Sequence, residues 1–117
     1  MTEINAKRFN EICAAAREQK DLQLFLAEYD LPEWILQEVT PDEEKAVEII
    51  TNIHTLAWMT LKELIAACGL NQSTFSRRFG IALRTVQNWC GGQAKTPRYL
   101  VFMVAEIYGL LKVSRKI

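Results

Sequence analysis

Apolar residues recur three and four positions apart through most of the 117-residue chain, a spacing that places them on one face of an α-helix. The pattern predicts helices over about 3–18, 21–29, 32–39, 41–58, 60–68, 72–79, 82–90 and 97–112. No stretch alternates apolar and polar residues as a surface strand does, and no hairpin turn signal is present. The sequence therefore predicts an all-α fold.

The predicted helix ends follow known capping chemistry. Thr40, followed by Pro41 and two acidic residues, is predicted to cap the long helix 41–58, because acidic side chains complement the positive end of the helix dipole. Thr60 is the predicted cap of the next helix, which Gly69 ends.

Two short helices near the centre, 72–79 and 82–90, are separated by a turn that contains Gly80. At 100° per residue, the first helix places Phe75, Ser76 and Phe79 on an inner face, where the small Ser76 lets the second helix approach closely. The second helix has one apolar arc and one polar arc. The apolar arc holds Ala82, Val86, Trp89 and Cys90, and the opposite arc holds Leu83, Arg84, Gln87 and Asn88.

The side chains of the polar arc have the chemistry that reads DNA bases in the major groove. Arg84 can donate two hydrogen bonds to guanine, and Gln87 and Asn88 can each form two hydrogen bonds with adenine. Leu83 can contact a thymine methyl group. Residues around them are suited to phosphate contacts. These predicted phosphate contacts are Gln72, Ser73, Arg77, Arg78, Thr85, Lys95 and Arg98.

The charge distribution agrees with this interpretation although the net charge is zero. Residues 1–58 carry five Lys and Arg against twelve Asp and Glu, a net charge of −7. Residues 59–117 carry nine Lys and Arg against two Glu, a net charge of +7. A basic half attracts polyanions such as DNA.

Residues 60–112 contain a pattern of turn, apolar and basic residues around the two short central helices. It begins with Leu70-Asn71-Gln72, has the small Ser76 and the turn glycine Gly80, and ends at Gly92. Its apolar positions are Phe75, Phe79, Ile81, Val86 and Trp89, and a loop with Lys95, Pro97 and Arg98 follows. This arrangement resembles the helix-turn-helix domain of lambdoid phage repressors and Cro proteins.

The resemblance implies a five-helix lambda-repressor-like domain with segment 82–90 lying in the major groove, and a homodimer on paired half-sites. It also implies regulation of transcription, of a phage or mobile-element type. Two positions depart from the family pattern. Ala82 stands where Ser or Thr often caps the recognition helix, and Cys90 stands where an acid is common.

The sequence predicts two regions, an acidic helical extension over 1–58 and a DNA-binding domain over 59–117. The alternative is a protein-interaction module or antitoxin whose acidic region binds a partner protein. Burial of the apolar stripes 9–16 and 22–29 inside the chain would argue against the alternative, because a partner needs an exposed stripe.

Other chemistry has little support in the sequence. The spacing of Cys13, Cys68 and Cys90 matches no metal motif or disulfide framework, and His54 has no second histidine to work with. The acids around Asp42 fit a helix start better than paired catalytic carboxylates. We therefore expect no enzyme activity, no metal and no cofactor. The absence of a signal peptide, of a membrane span and of paired cysteines predicts a cytoplasmic protein.

Overall fold

The computed structural model of the protein describes residues 2–117, of which most are helical. The elements are β1 (Glu3–Asn5), α1 (Ala6–Glu18), α2 (Leu22–Glu28), a π-helical segment (Ile35–Val39), α3 (Glu43–Trp58), α4 (Leu61–Ala67), α5 (Gln72–Phe79), α6 (Leu83–Cys90), α7 (Arg98–Ile107) and β2 (Ser114–Lys116). The mostly helical fold predicted from the sequence is confirmed.

The two short strands correct the prediction that the chain has no strand and that a helix begins at residue 3. β1 and β2 pair in parallel, with Ile4 opposite Arg115. α1 begins only at Ala6, because the Asn5 side chain accepts hydrogen bonds from the backbone N–H groups of Lys7 and Arg8. Three residues are too few to show strand alternation, and the pairing joins the two ends of the chain, so no local pattern indicated it.

Some helix boundaries also differ from the prediction. Asp42, not Thr40, caps α3, and its carboxylate accepts from the N–H of Glu44 at 3.0 Å. Thr40 instead accepts from the N–H of Asp42 at 3.3 Å. α7 ends at Ile107 rather than near 112, and Gly109 then adopts a φ of +74° in the turn that leads to β2.

The predicted cap at Thr60 is present as a complete capping box. The Thr60 hydroxyl accepts from the N–H of Glu63, and the Glu63 carboxylate accepts from the N–H of Thr60 at 2.9 Å. The Thr60 N–H and the Thr60 hydroxyl both donate to the Glu63 carboxylate, and these two hydrogen bonds lower the pKa of Glu63. α4 therefore begins where the sequence predicts.

One apolar core extends through both predicted regions. α3 packs against α1 and α2 on the N-terminal side and against α7 on the C-terminal side. Phe9 of α1 meets Phe102 of α7 edge to face, with ring centroids 5.3 Å apart. The four helices of residues 59–117 are α4 to α7, so a five-helix unit would have to include α3.

The apolar stripes of the N-terminal region face this core. Phe9, Ile12 and Ala16 of α1 are buried, as is Phe25 of α2. His54 on α3 stacks on Phe25 with 4.9 Å between ring centroids, and its Nε2 donates to the carbonyl of Gln19 at 2.7 Å. His54 is thus a packing residue.

No helix within residues 2–117 has both the length and the apolar character needed to cross a bilayer.

Candidate nucleic-acid interface

α5 and α6 are two eight-residue helices joined by a three-residue turn, Gly80 to Ala82. The Asn71 side chain caps α5 by accepting from the N–H of Thr74 at 2.8 Å. Gly80, the predicted turn residue, ends α5 with a φ of +65°, which is the left-handed conformation. Ser76 is buried, and its hydroxyl donates to the Ile81 carbonyl, which satisfies that carbonyl inside the turn.

α6 is anchored by one side and exposed on the other. Val86 is completely buried, and Trp89 and Cys90 are partly buried beside it. Ala82 is exposed, so its predicted place on the buried arc is wrong; as the N-cap it precedes the helix and does not share its face.

The predicted base-reading side chains lie on the exposed side of α6. Arg84 and Gln87 are exposed, and Leu83 keeps 40% of its surface accessible. Asn88 is half-buried. Arg84 and Gln87 are three residues apart on the helix, so they project to the same side.

The predicted phosphate contacts differ in how much of each side chain is exposed to solvent. Ser73, Arg77, Arg78 and Lys95 are exposed, whereas Gln72 and Thr85 are half-buried. The Arg78 guanidinium lies 5.4 Å from the centre of the Tyr108 ring. The side chains that flank α6 therefore present three cations to solvent.

Arg98 differs from the other predicted phosphate contacts. Its Nη1 donates to the carbonyls of Leu56, Ala57 and Met59 at the end of α3, at 3.3, 3.0 and 2.9 Å. Burial lowers the pKa of Arg98, and the nearby charge of Arg17 lowers it further. A cation is stabilised at the negative end of a helix dipole, so Arg98 primarily caps α3.

Within the part of the chain that the structure describes, the exposed cations of the interface have no internal counter-ions. Within residues 2–117, ion pairs with carboxylates are made by Arg8, Arg115 and Lys116. Arg77, Arg78, Arg84 and Lys95 make none in the described chain, so their charges remain available to an external anion.

Sequence reasoning missed Arg17, which belongs to α1 but reaches the end of α3. Its Nη1 donates to the Ala57 carbonyl at 2.7 Å, and its guanidinium lies 4.2 Å from the centre of the Trp58 ring. The partners are about forty residues apart in the chain, so neither periodicity nor spacing could indicate the contact.

The three cysteines are all partly buried free thiols. Burial raises the pKa of Cys13 to about 12, with Arg115 opposing the shift, and burial also raises the pKa values of Cys68 and Cys90. In the described part of the chain, no three His, Cys, Asp or Glu side chains converge as metal ligands.

No protein-family model, no curated protein and no solved structure matches the chain. The residues and their geometry define a mostly helical chain in which one short helix, α6, is buried along one side and presents arginine and glutamine on the other.

Proposed function

We propose that the protein binds double-stranded DNA sequence-specifically, with α6 in the major groove, and regulates transcription in the manner of a phage or mobile-element regulator. The observation that carries the proposal is the exposure of Arg84 and Gln87 together on α6 while Val86 is buried beneath them. An exposed polar face on a helix anchored from below is what the resemblance to lambda-repressor-like domains implies for a recognition helix, and it supports the proposal.

The dimensions of α6 suit the groove. An α-helix with its side chains is about 10–12 Å in diameter, and the major groove of B-DNA is about 12 Å wide, so a helix such as α6 fits within it. Arg84 can donate two hydrogen bonds to guanine, Gln87 can pair with adenine, and Leu83 can meet a thymine methyl group. Asn88 lies further along the helix and would read a neighbouring base.

The charges around α6 support phosphate binding. Arg77, Arg78 and Lys95 are exposed and form no ion pair in residues 2–117, and Ser73 is exposed at the start of α5. Gln72 and Thr85 are proposed as weaker polar contacts. Binding is expected to weaken steeply with salt, because each neutralised phosphate releases counter-ions.

The proposal includes a homodimer, in which two copies of α6 read paired half-sites. Tyr99, Met103 and Ile107 form an apolar stripe on α7 and are 69%, 49% and 60% exposed. We propose a second copy as the occupant of this stripe, because a twofold axis pairs the same apolar surface on each copy. Met103→Glu is then expected to shift the sedimentation coefficient from dimer to monomer, whereas an unchanged coefficient contradicts the contact.

The alternative function, partner binding through residues 1–58, has less exposed apolar surface than it needs, although on α2 Phe25 alone is fully buried and Leu22, Leu26 and Tyr29 are half-buried. The apolar stripe of α1 is buried within the chain, and in α2 the large apolar side chain that stays exposed is Leu24, at 51%. No described contact favours a partner protein at this region, so we do not propose one.

Selection of bound sequences from a random DNA pool tests the proposed function. We expect the wild-type protein to enrich a defined sequence, which then serves as the specific duplex. Arg84→Ala is expected to weaken binding to that duplex by about 1–3 kcal/mol and to leave binding to a scrambled duplex almost unchanged.

Lys95→Ala is the matched control, because Lys95 is also exposed but is assigned to phosphate. This variant is expected to weaken both duplexes alike and to reduce the salt dependence by about one phosphate contact. Equal losses on both duplexes for Arg84→Ala would remove the base-reading assignment, and failure to enrich any sequence would contradict specific binding.

A further inference from the structure

A cleft of about 390 Å³ lies where the end of α1, the end of α3, α6 and the loop before α7 meet. Its lining includes three cations, Arg17, Lys95 and Arg98, and two indole rings, Trp58 and Trp89. No Asp or Glu is among the lining residues. The volume lies at the lower end of the range for small-molecule sites.

The two arginines of the cleft are close together. Both donate an Nη1 hydrogen bond to the same Ala57 carbonyl, Arg17 at 2.7 Å and Arg98 at 3.0 Å. Neither forms an ion pair with a carboxylate of residues 2–117. Burial lowers the pKa of Arg98, and the charge of the neighbouring Arg17 lowers it further.

The end of α3 does not balance these charges. A helix C-terminus carries about half a negative charge, whereas Arg17 and Arg98 together carry two positive charges. Each guanidinium has five N–H donors, and the α3 carbonyls accept only from Nη1 of each. Capping of α3 therefore leaves both positive charge and donors in excess.

Two further features are not explained by capping. Lys95 is exposed on the rim of the cleft and adds a third cation that makes no hydrogen bond to α3. Trp58 is fixed in place by an Nε1 hydrogen bond to the Ala16 carbonyl at 2.7 Å, with Arg17 against its ring. The result is a cationic cleft with a rigid aromatic wall.

We propose that this cleft is a binding site for a phosphate or diphosphate group, held by Lys95 and by the remaining donors of Arg17 and Arg98. Planar guanidinium forks match the oxygens of such a group. The site goes beyond the proposed function because α1 and α3 contribute to it together with α6 and the loop before α7. It shares Lys95 with the proposed phosphate contacts but does not use Arg84 or Gln87. The group could belong to a small phosphorylated molecule or to the DNA backbone.

Tryptophan fluorescence of the full chain tests the site directly. Trp58 and Trp89 line the cleft, whereas Trp34 lies elsewhere against Arg8, so Trp34→Phe leaves only the two reporters of the cleft. Titration of wild type and Trp34→Phe with sodium pyrophosphate, at an ionic strength held constant with sodium chloride, is expected to give a saturable signal change.

Lys95→Ala is expected to weaken the apparent Kd for pyrophosphate at least fivefold, because Lys95 binds the anion without supporting α3. Lys7→Ala removes an exposed cation that does not line the cleft, and is expected to leave the Kd unchanged. Absence of a saturable change, or equal Kd values in the two variants, would overturn the site.

Competition between pyrophosphate and the selected DNA duplex distinguishes the two sources of the phosphate group. Displacement of the selected duplex by pyrophosphate, with an inhibition constant equal to its Kd, assigns the site to a backbone phosphate. Simultaneous binding of both assigns it to a free phosphorylated molecule. The pyrophosphate titration needs no DNA, so failure of the site and failure of the proposed function are distinguishable.

Discussion

The turn between α5 and α6 depends on the properties of individual residues. Gly80 holds a φ of +65°, and a Cβ atom added there would meet nothing within 4 Å. The buried Ser76 hydroxyl satisfies the carbonyl of Ile81, which follows the glycine. Any cost of a larger residue at Gly80 therefore comes from backbone conformation and not from steric contact.

Gly80→Ala is expected to lower the free energy of unfolding by about 1 kcal/mol, because alanine tolerates the left-handed conformation poorly. Urea denaturation followed by circular dichroism measures the change. Gly80→Asn serves as the control and is expected to lose less, because asparagine adopts positive φ more readily. An Asn variant less stable than the Ala variant would contradict this account of the turn.

The exposure of single residues was predictable where it follows from the geometry of one helix. Arg84 and Gln87 are exposed because Val86 between them faces inward, and 100° per residue is enough to foresee this. The position of Arg98 was not predictable in the same way. Its partner carbonyls lie about forty residues earlier in the chain, so only the fold brings them together.

Elements with strong local signals were predictable, and elements that depend on distant contacts were not. The bounds of α5 agree with the prediction, because the turn glycine Gly80 marks its end in the sequence, and those of α6 differ by one residue. The pairing of β1 with β2 joins Ile4 to Arg115 and had no sequence signal. The π-helical geometry of Ile35–Val39 likewise could not be predicted from the spacing of apolar residues.

A side-chain cap at the N-terminus of α6 is expected to stabilise this helix. Ala82 is its N-cap and has no side-chain acceptor for the first N–H groups of the helix. Ala82→Ser supplies a hydroxyl acceptor and is expected to raise the free energy of unfolding by about 1 kcal/mol. Thermal or urea denaturation measures the difference.

Ala66→Ser is the matched control for Ala82→Ser, because Ala66 is exposed within α4 rather than at a helix start. Serine within a helix is slightly unfavourable, so this variant is expected to be no more stable than the wild type. Equal stabilisation by both substitutions would show that the cap is not the cause.

At the scale of the whole molecule, the acidic and basic halves share one core. The predicted division into 1–58 and 59–117 describes the charge well, but Phe9 of the acidic half packs on Phe102 of the basic half. α3 contacts helices of both halves. The acidic region thus supports the helices that carry the proposed interface, and we expect the chain to unfold as one cooperative unit.

Phe9→Ala is expected to lower the free energy of unfolding by about 3–5 kcal/mol, because Phe9 is buried between the two halves. The unfolding transition of single-tryptophan variants that retain Trp34 or Trp89 is expected to shift by the same amount, since one reporter lies in each half. A shift at Trp34 with none at Trp89 would indicate two independent units.

The central claim is that α6 is the surface that meets DNA. Amide chemical shifts of the ¹⁵N-labelled full chain, measured during titration with the selected duplex, test it residue by residue. We expect the largest changes at residues 83–88, with further changes at 72–78 and at Lys95. Changes concentrated in residues 22–39, with residues 83–88 unaffected, would contradict the claim.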